Sequence, residues 1–260
     1  MVAPGVRWGA LTTRELDAVD RVTPVLLSIA AIEQHGPHLP LATDATIGQA
    51  FLARVEERHG PEVLILPQIA VGCSEHHMDF AGSLSVRHQT LVDYAGDVIR
   101  SVLRHGFRNV VILNSHGGNQ GAGQVLLEEV GAADPACRIA LLTWWRLAAP
   151  ELSGIRDSAP GGCNHACEFE TSLMLHAASS AVRREAIGHR SGAGDPAPVW
   201  AREDMLTGSR GTLYRSMREK SGGDGVVGEP ALATAEKGRA IEDAVTDALS
   251  DVIRSLRDAG

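Results

Sequence analysis

Four apolar runs punctuate the chain: Pro24 to Ile32 (PVLLSIAAI), Glu62 to Val71 (EVLILPQIAV), Asn109 to Leu113 (NVVIL) and Arg138 to Trp145 (RIALLTWW). None alternates apolar with polar residues. A strand with one wet face must alternate, because successive side chains leave on opposite faces. Runs without alternation are strands covered on both sides, as in a parallel sheet buried between helices. Helical stripes fall between and after these runs. Ile47, Ala50, Phe51 and Val55 recur at helical spacing within Asp44 to Arg58. Leu91, Ala95, Val98, Ile99, Val102 and Leu103 form a second stripe, and Ala240 to Ile253 a third inside Leu232 to Leu256. Strands alternating with helices predict an α/β domain with a mainly parallel central sheet. At 260 residues the chain is expected to be one domain, 1–260. Residues 187–229 break the rhythm. They are dense in Gly, Pro, Asp and Arg and predict a polar loop or lid.

Bulk properties exclude several classes. Net charge is -8 with scattered acids, so no nucleic-acid-binding face is expected. The same balance weighs against a strongly anionic substrate, although a local field can override the total. No apolar run approaches the roughly 20 residues that span a bilayer, so no membrane association is expected. Met1 to Asp17 lacks a basic segment followed by an apolar core, and four cysteines make no secreted disulfide framework. The expected location is cytoplasmic.

Polar chemistry follows the strand ends. After the first run come Glu33-Gln34-His35-Gly36-Pro37-His38 and Thr43-Asp44, and after the third Asn114-Ser115-His116-Gly117-Gly118-Asn119. Ligands of open α/β sheets bind beyond the carboxyl ends of the strands, so these two loops can face one crevice. Glu33 and His35 are two apart and leave an extended backbone on one face, offering oxygen and nitrogen donors suited to a divalent metal. Asp44 has two oxygens to bridge a pair of ions, and His116 supplies a second nitrogen. A further cluster, His165-Ala166-Cys167-Glu168-Phe169-Glu170, runs into an apolar helix. In a helix regular from His165, Glu168 shares its face while Glu170 points about 200° from Glu168. With His165 in the preceding loop, Glu170 can reach it instead. Spacing leaves both open. Cys163-x-His165-x-Cys167 lacks the usual zinc spacing, and His59, His88, His105, His176 and His189 read as solvated or capping side chains.

Taken together, Glu33 to Pro40 with Thr43-Asp44, Asn114 to Asn119, and His165 with Glu170-Thr171-Ser172 resemble the signature blocks of the creatininase family. Ser74-Glu75-His76 with Phe80 to Leu84 resembles its intervening segment, and Gly225 to Gly238 its C-terminal block. The resemblance implies a three-layer α/β/α sandwich, two divalent ions per chain (Zn²⁺ or Mn²⁺, with Fe²⁺ as an alternative), and a homo-oligomer, usually a hexamer. It places Glu33, Asp44 and His116 on one ion, His35 and the bridging Asp44 on the other. The last carboxylate lies two residues after the His116 equivalent in creatininase itself, where this chain has Gly118. Family members with His-Gly-Gly-Asn draw it from the Glu-Thr-Ser block, here Glu170. His165 matches the catalytic histidine that passes a proton to the leaving nitrogen. Ser74, His76, Gly117, Gly118 and Trp145 are the implied substrate contacts, with Glu168 beside them. The stretch Pro160 to Asn164 lacks the tryptophan that covers creatinine, and Gly117 stands in place of a tyrosine, so another substrate is expected. The implied activity is metal-dependent hydrolysis of a C–N bond in a small molecule. A ring-opening hydrolase of a cyclic polyol ketone, processing of a modified peptide, and a catalytically silent binding protein are the alternatives.

Overall fold

The computed structural model describes residues 6–188, 197–202 and 204–259. Four strands, β1 (Val25–Ile29), β2 (Leu64–Ile65), β3 (Asn109–Asn114) and β4 (Arg138–Thr143), form one parallel sheet in the order β2-β1-β3-β4. Side chains of β1 and β3 are buried throughout, as the absence of alternation requires. The second run is shorter than expected. Pro67 has no N–H to give the ladder, and pairing resumes only at Ile69, which bridges Ile29. The fourth run leaves the sheet at Thr143, where Trp144–Leu147 turns helical.

Five longer helices cover the sheet: α1 (Thr43–His59), α2 (His88–Arg104), α3 (Gln120–Ala133), α4 (Glu168–Ala177) and α5 (Ala235–Asp258). Leu26, Val111 and Leu113 face Phe51, Phe169, Leu173, Ile241 and Val245 of α1, α4 and α5. Leu27, Ile29, Val110 and Ile112 face Leu91, Ile99, Leu126 and Val130 of α2 and α3. Two separate cores on opposite faces of one sheet make the expected three-layer α/β/α arrangement. Each fully buried Leu or Phe of these layers contributes about 1.5–3 kcal/mol. Helix α3 was not expected. Its three glycines each cost about 1 kcal/mol in propensity relative to Ala, and they obscure the stripe Ala122, Leu126, Val130 that packs on the sheet.

Strand order positions the site. From β1 the chain leaves through α1 to β2 on one side, whereas β3 leads through α3 to β4 on the other. Helices α1 and α3 lie on opposite faces. The loops after β1 and β3 therefore diverge at a topological switch point and leave a crevice there.

The 187–229 segment is only partly a polar loop; residues 189–196 and 203, and with them His189, lie outside the described residues. Strand β6 (Val227–Gly228) pairs antiparallel with β5 (Cys163–His165), and Met217, Val226 and Val227 are buried. Asp204 anchors the arm, accepting bonds from Arg156 Nη2 (2.6 Å), the Gly161 N–H (2.6 Å) and the Thr207 N–H (2.8 Å). Asp204 and the β5–β6 pairing thus tie the described part of the arm to the core. No described helix is long and apolar enough to cross a membrane.

Candidate metal and active site

Glu33 and His35 follow β1, Asp44 sits in the first turn of α1, His116 follows β3, and Glu170 lies in the first turn of α4. All five are buried and meet beyond the strand ends. His116 lies between two carboxylates, with Nε2 at 3.2 Å from Glu33 Oε2 and Nδ1 at 3.2 Å from Asp44 Oδ2. His35 Nε2 lies 3.4 Å from Asp44 Oδ1 and 3.8 Å from Glu170 Oε1. Asp44 therefore stands between the two histidines, one oxygen toward each. His35 Nδ1 donates to the Glu33 carbonyl at 3.1 Å, which leaves Nε2 as the lone-pair nitrogen facing the carboxylates. Donor atoms of Glu33, His35 and Asp44 lie within 4.8 Å of one another, as do those of His35, His165 and Glu170.

The donor set could hold a cation. Both oxygens of Glu33, His35 Nε2, Asp44 Oδ2 and Glu170 Oε2 are buried with no hydrogen-bond partner among the described residues. Buried polar atoms are nearly always satisfied, and three buried carboxylates repel one another unless positive charge lies between them. Without metal, protons supply that charge. Burial pushes the pKa of His116 down, but Glu33 and Asp44 more than reverse it and carry it to about 10. His35 is likewise raised well above its ordinary value, against burial, by Asp44 and Glu170.

His165 takes a different role. Its Nε2–H donates to the Gln34 carbonyl at 2.7 Å, so Nδ1 is the free nitrogen, 3.8 Å from Glu33 Oε1. Burial, then the charge on His35, lowers its pKa well below the ordinary range, so the ring is neutral. Ala166 adopts φ 49°, an uncommon conformation for a residue with a Cβ. That turn ends β5 at His165 and starts α4, so His165 and Glu170 reach the same site from a strand and a helix.

Two residues of this site were not singled out from sequence. Gln34 Oε1 accepts from the Gly36 N–H (2.9 Å), which fixes the amide with Nε2 toward His77 Nδ1 at 3.1 Å. His77 Nε2 lies 3.2 Å from Glu33 Oε1. Donor atoms of Glu33, His77 and His165 form a third group lying within 4.8 Å of one another, so His77 faces the same metal-binding space. Gly225 makes room for the Gln34 amide, since a Cβ there would lie 1.9 Å from Gln34 Oε1. The adjacent histidines of Glu75-His76-His77, and the place of Gln34 between Glu33 and His35, are their signals in the sequence.

The two glutamates of α4 have different surroundings. Helix α4 begins at Glu168, not at His165, and Glu170 turns toward His35. Glu168, expected beside the substrate, is instead fully buried on another side, accepting from the Asp157 N–H (3.0 Å), the Ser158 N–H (2.9 Å) and the Lys237 ammonium. Gly118 has no room for a side chain, because a Cβ would lie 2.1 Å from the Cys73 carbonyl oxygen and 2.5 Å from His116 Nε2.

A pocket of about 610 Å³ opens over Glu33, Asp44, His116, His165 and Glu170. His76, Gly117, Gly118 and Trp145 line it. His76 stacks on His116 with centroids 5.7 Å apart, and burial lowers its pKa to about 3. Ser74 does not line the pocket; it is buried behind His116, its hydroxyl 3.4 Å from Nε2. His88, read as a solvated or capping residue, opens α2 and lines the wall. Tyr214, Arg215 and Lys220 of the arm and Arg146 also line it, placed by tertiary folding and invisible to motif spacing.

Comparison with known proteins agrees with this geometry. A family described as Creatininase, creatinine amidohydrolase, matches residues 9–253. The mycofactocin precursor peptide peptidase of Mycobacterium tuberculosis (strain CDC 1551 / Oshkosh) is 32% identical over 247 residues, covering 92% of this chain and 87% of that protein. The creatinine amidohydrolase of Pseudomonas putida is 27% identical, covering 95% of each. A solved manganese creatininase superposes with a TM-score of 0.76 at 26% identity, covering 96% of this chain and 98% of that one. With a match along nearly its whole length and this site at its switch point, the chain belongs to the creatininase family.

Proposed function

We propose that this hydrolase cleaves an amide-type C–N bond in a small molecule at a centre for two divalent cations held by Glu33, His35, Asp44, His116 and Glu170. That it is a hydrolase acting on C–N bonds follows from its family. The observation that carries the finer reading is the convergence of five unpartnered buried donor atoms beneath a neutral histidine. Mixed oxygen and nitrogen donors suit Zn²⁺ or Mn²⁺, with Fe²⁺ also accommodated. Bound there, the cations supply Lewis acidity, polarising the scissile carbonyl and lowering the pKa of water. His165 Nδ1 faces the same space and holds or releases the proton bound for the leaving nitrogen. The Gln34 carbonyl holds His165 in this orientation. Elemental analysis of protein purified without chelators, with a screen of amides, formamides and inososes, tests the reading. Two ions per chain and chelator-sensitive turnover on one amide class are expected; one ion or fewer in fully folded protein would refute it.

A peptide substrate is the second reading. A relative named a peptide peptidase is 32% identical, and a second cavity of about 810 Å³ adjoins the first, sharing Gly117, Gln120, Arg146 and Thr212 with it. That space suits a longer chain better than a compact ring.

Metal uptake should be coupled to protons. His35 and His116 are protonated at neutral pH in the metal-free protein, because both pKa values are raised, and a ligand imidazole must be neutral. Loading Zn²⁺ at pH 7 should therefore release about two protons per chain, and affinity should fall as pH falls. Calorimetry in two buffers of different ionisation enthalpy reads this directly. No buffer dependence would mean that these histidines are not ligands.

A further inference from the structure

Positive charge is gathered on the pocket wall, apart from the metal-binding carboxylates. Arg146, Arg215 and Lys220 all line it, each from a different place. Arg146 lies on the turn Trp144–Leu147 that follows β4, Lys220 on the short helix Met217–Ser221, and Arg215 just before that helix. Two acids share this wall, and neither pairs with Arg146 or Lys220 among the described residues. Asp204 is committed to Arg156 and to backbone N–H groups, and Glu75 makes no ion pair among the described residues. Neither Arg146 nor Lys220 has a carboxylate at ion-pair distance among the described residues. A lone exposed arginine is ordinarily a solvated one. Arg146 differs in position, since it stands where the two cavities meet. Its neighbour Trp145 is buried, which fixes the backbone under it.

We propose that the substrate carries a carboxylate on the part of the molecule remote from the metal centre, and that Arg146 receives it with Lys220 in support. The substrate class is then an acyl amide of an amino acid, a peptide's C-terminal residue included. This rests on the hydrolase reading above and deepens it. Guanidinium groups bind carboxylates through two parallel charge-assisted hydrogen bonds, in a geometry that Lys cannot reproduce. The overall charge of -8 does not oppose this, because a local cationic wall sets the field that the substrate meets.

Binding to the zinc-loaded protein tests the proposal without needing turnover. Dicarboxylates from succinate to pimelate are compared by calorimetry with monocarboxylates of equal length, and with inorganic phosphate. One carboxylate occupies the metal centre in both series, so the difference reports the second. At least one dicarboxylate should bind about tenfold tighter than its monocarboxylate. Arg146→Ala should remove most of that advantage while leaving metal content and monocarboxylate binding unchanged. Arg146→Lys should restore only part of it, and Lys220→Ala should have a smaller effect of the same sign. Raising salt should weaken the dicarboxylate more than the monocarboxylate. Equal affinities across both series, or an advantage that survives Arg146→Ala, would overturn the proposal. Phosphate binding that depends on Arg146 and exceeds every dicarboxylate would also overturn it, assigning a phosphoryl group instead. A turnover arm compares N-acyl amino acids with their carboxamides. If neither is hydrolysed by fully loaded protein, the hydrolase reading fails for that class and the binding result still stands.

Discussion

His165→Ala should lower kcat by about 10²–10⁴-fold while the protein keeps its fold and both metals. The ring is not required for folding; among the described residues it donates to the Gln34 carbonyl, and the backbone pairs Cys163 with Gly228 and His165 with Val227 hold β5 and β6 together. Its chemistry is set by that bond to the Gln34 carbonyl, which fixes the tautomer and leaves Nδ1 to work. An alanine leaves the metal centre and the pocket in place, so KM should change little compared with kcat. His165→Gln should be no better, because an amide can hydrogen-bond but cannot cycle a proton. The depressed pKa adds a pH signature. A group that stays neutral well below pH 6.5 places the acid limb of its own titration below the ordinary histidine range. Activity should therefore persist into mildly acidic solution until metal loss sets in. Full activity in His165→Ala on a good substrate would refute the proton-transfer role and leave the metal site standing.

Much of this was legible in the sequence for a simple reason. Unbroken apolar runs can only be doubly covered strands, and chemistry placed just after them must lie at one edge of the sheet. Glu33, His35, Asp44 and His116 follow that rule, and all four meet in the structure. The limits have physical causes too. Helix α3 was hidden because glycine lowers propensity while burial against the sheet supplies the stability. His77 was hidden because its contact is with Gln34, which is 43 residues away in sequence. The arm beyond residue 187 was read as too polar for a core, yet Asp204 is buried because Arg156 and three backbone N–H groups satisfy it. Composition registers the charge and not its partners.

The two glutamates of α4 should behave in opposite ways. Glu170→Gln removes a carboxylate whose Oε2 is buried without a partner and whose Oε1 faces His35 at 3.8 Å. The variant should stay folded, lose one of two metals on dialysis, and lose turnover with it. Glu168→Gln should keep both metals and lose stability instead. Its carboxylate is enclosed by two backbone N–H donors and Lys237, so an amide would set its own NH₂ against one of these donors. Breaking a buried ion pair costs about 3–5 kcal/mol, or roughly 6–20 °C in Tm for a chain of this size. The sign with pH is fixed as well. Although burial raises the Glu168 pKa, the Lys237 and backbone bonds bring it below its ordinary 4.5, so its contribution is complete above that pH and is lost as pH falls through the folded value. The variant should therefore lose stability at neutral pH and differ less from the parent in acid. Metal loss in Glu168→Gln with full retention in Glu170→Gln would reverse the assignment, and thermal melts beside elemental analysis separate the two outcomes in one set of samples.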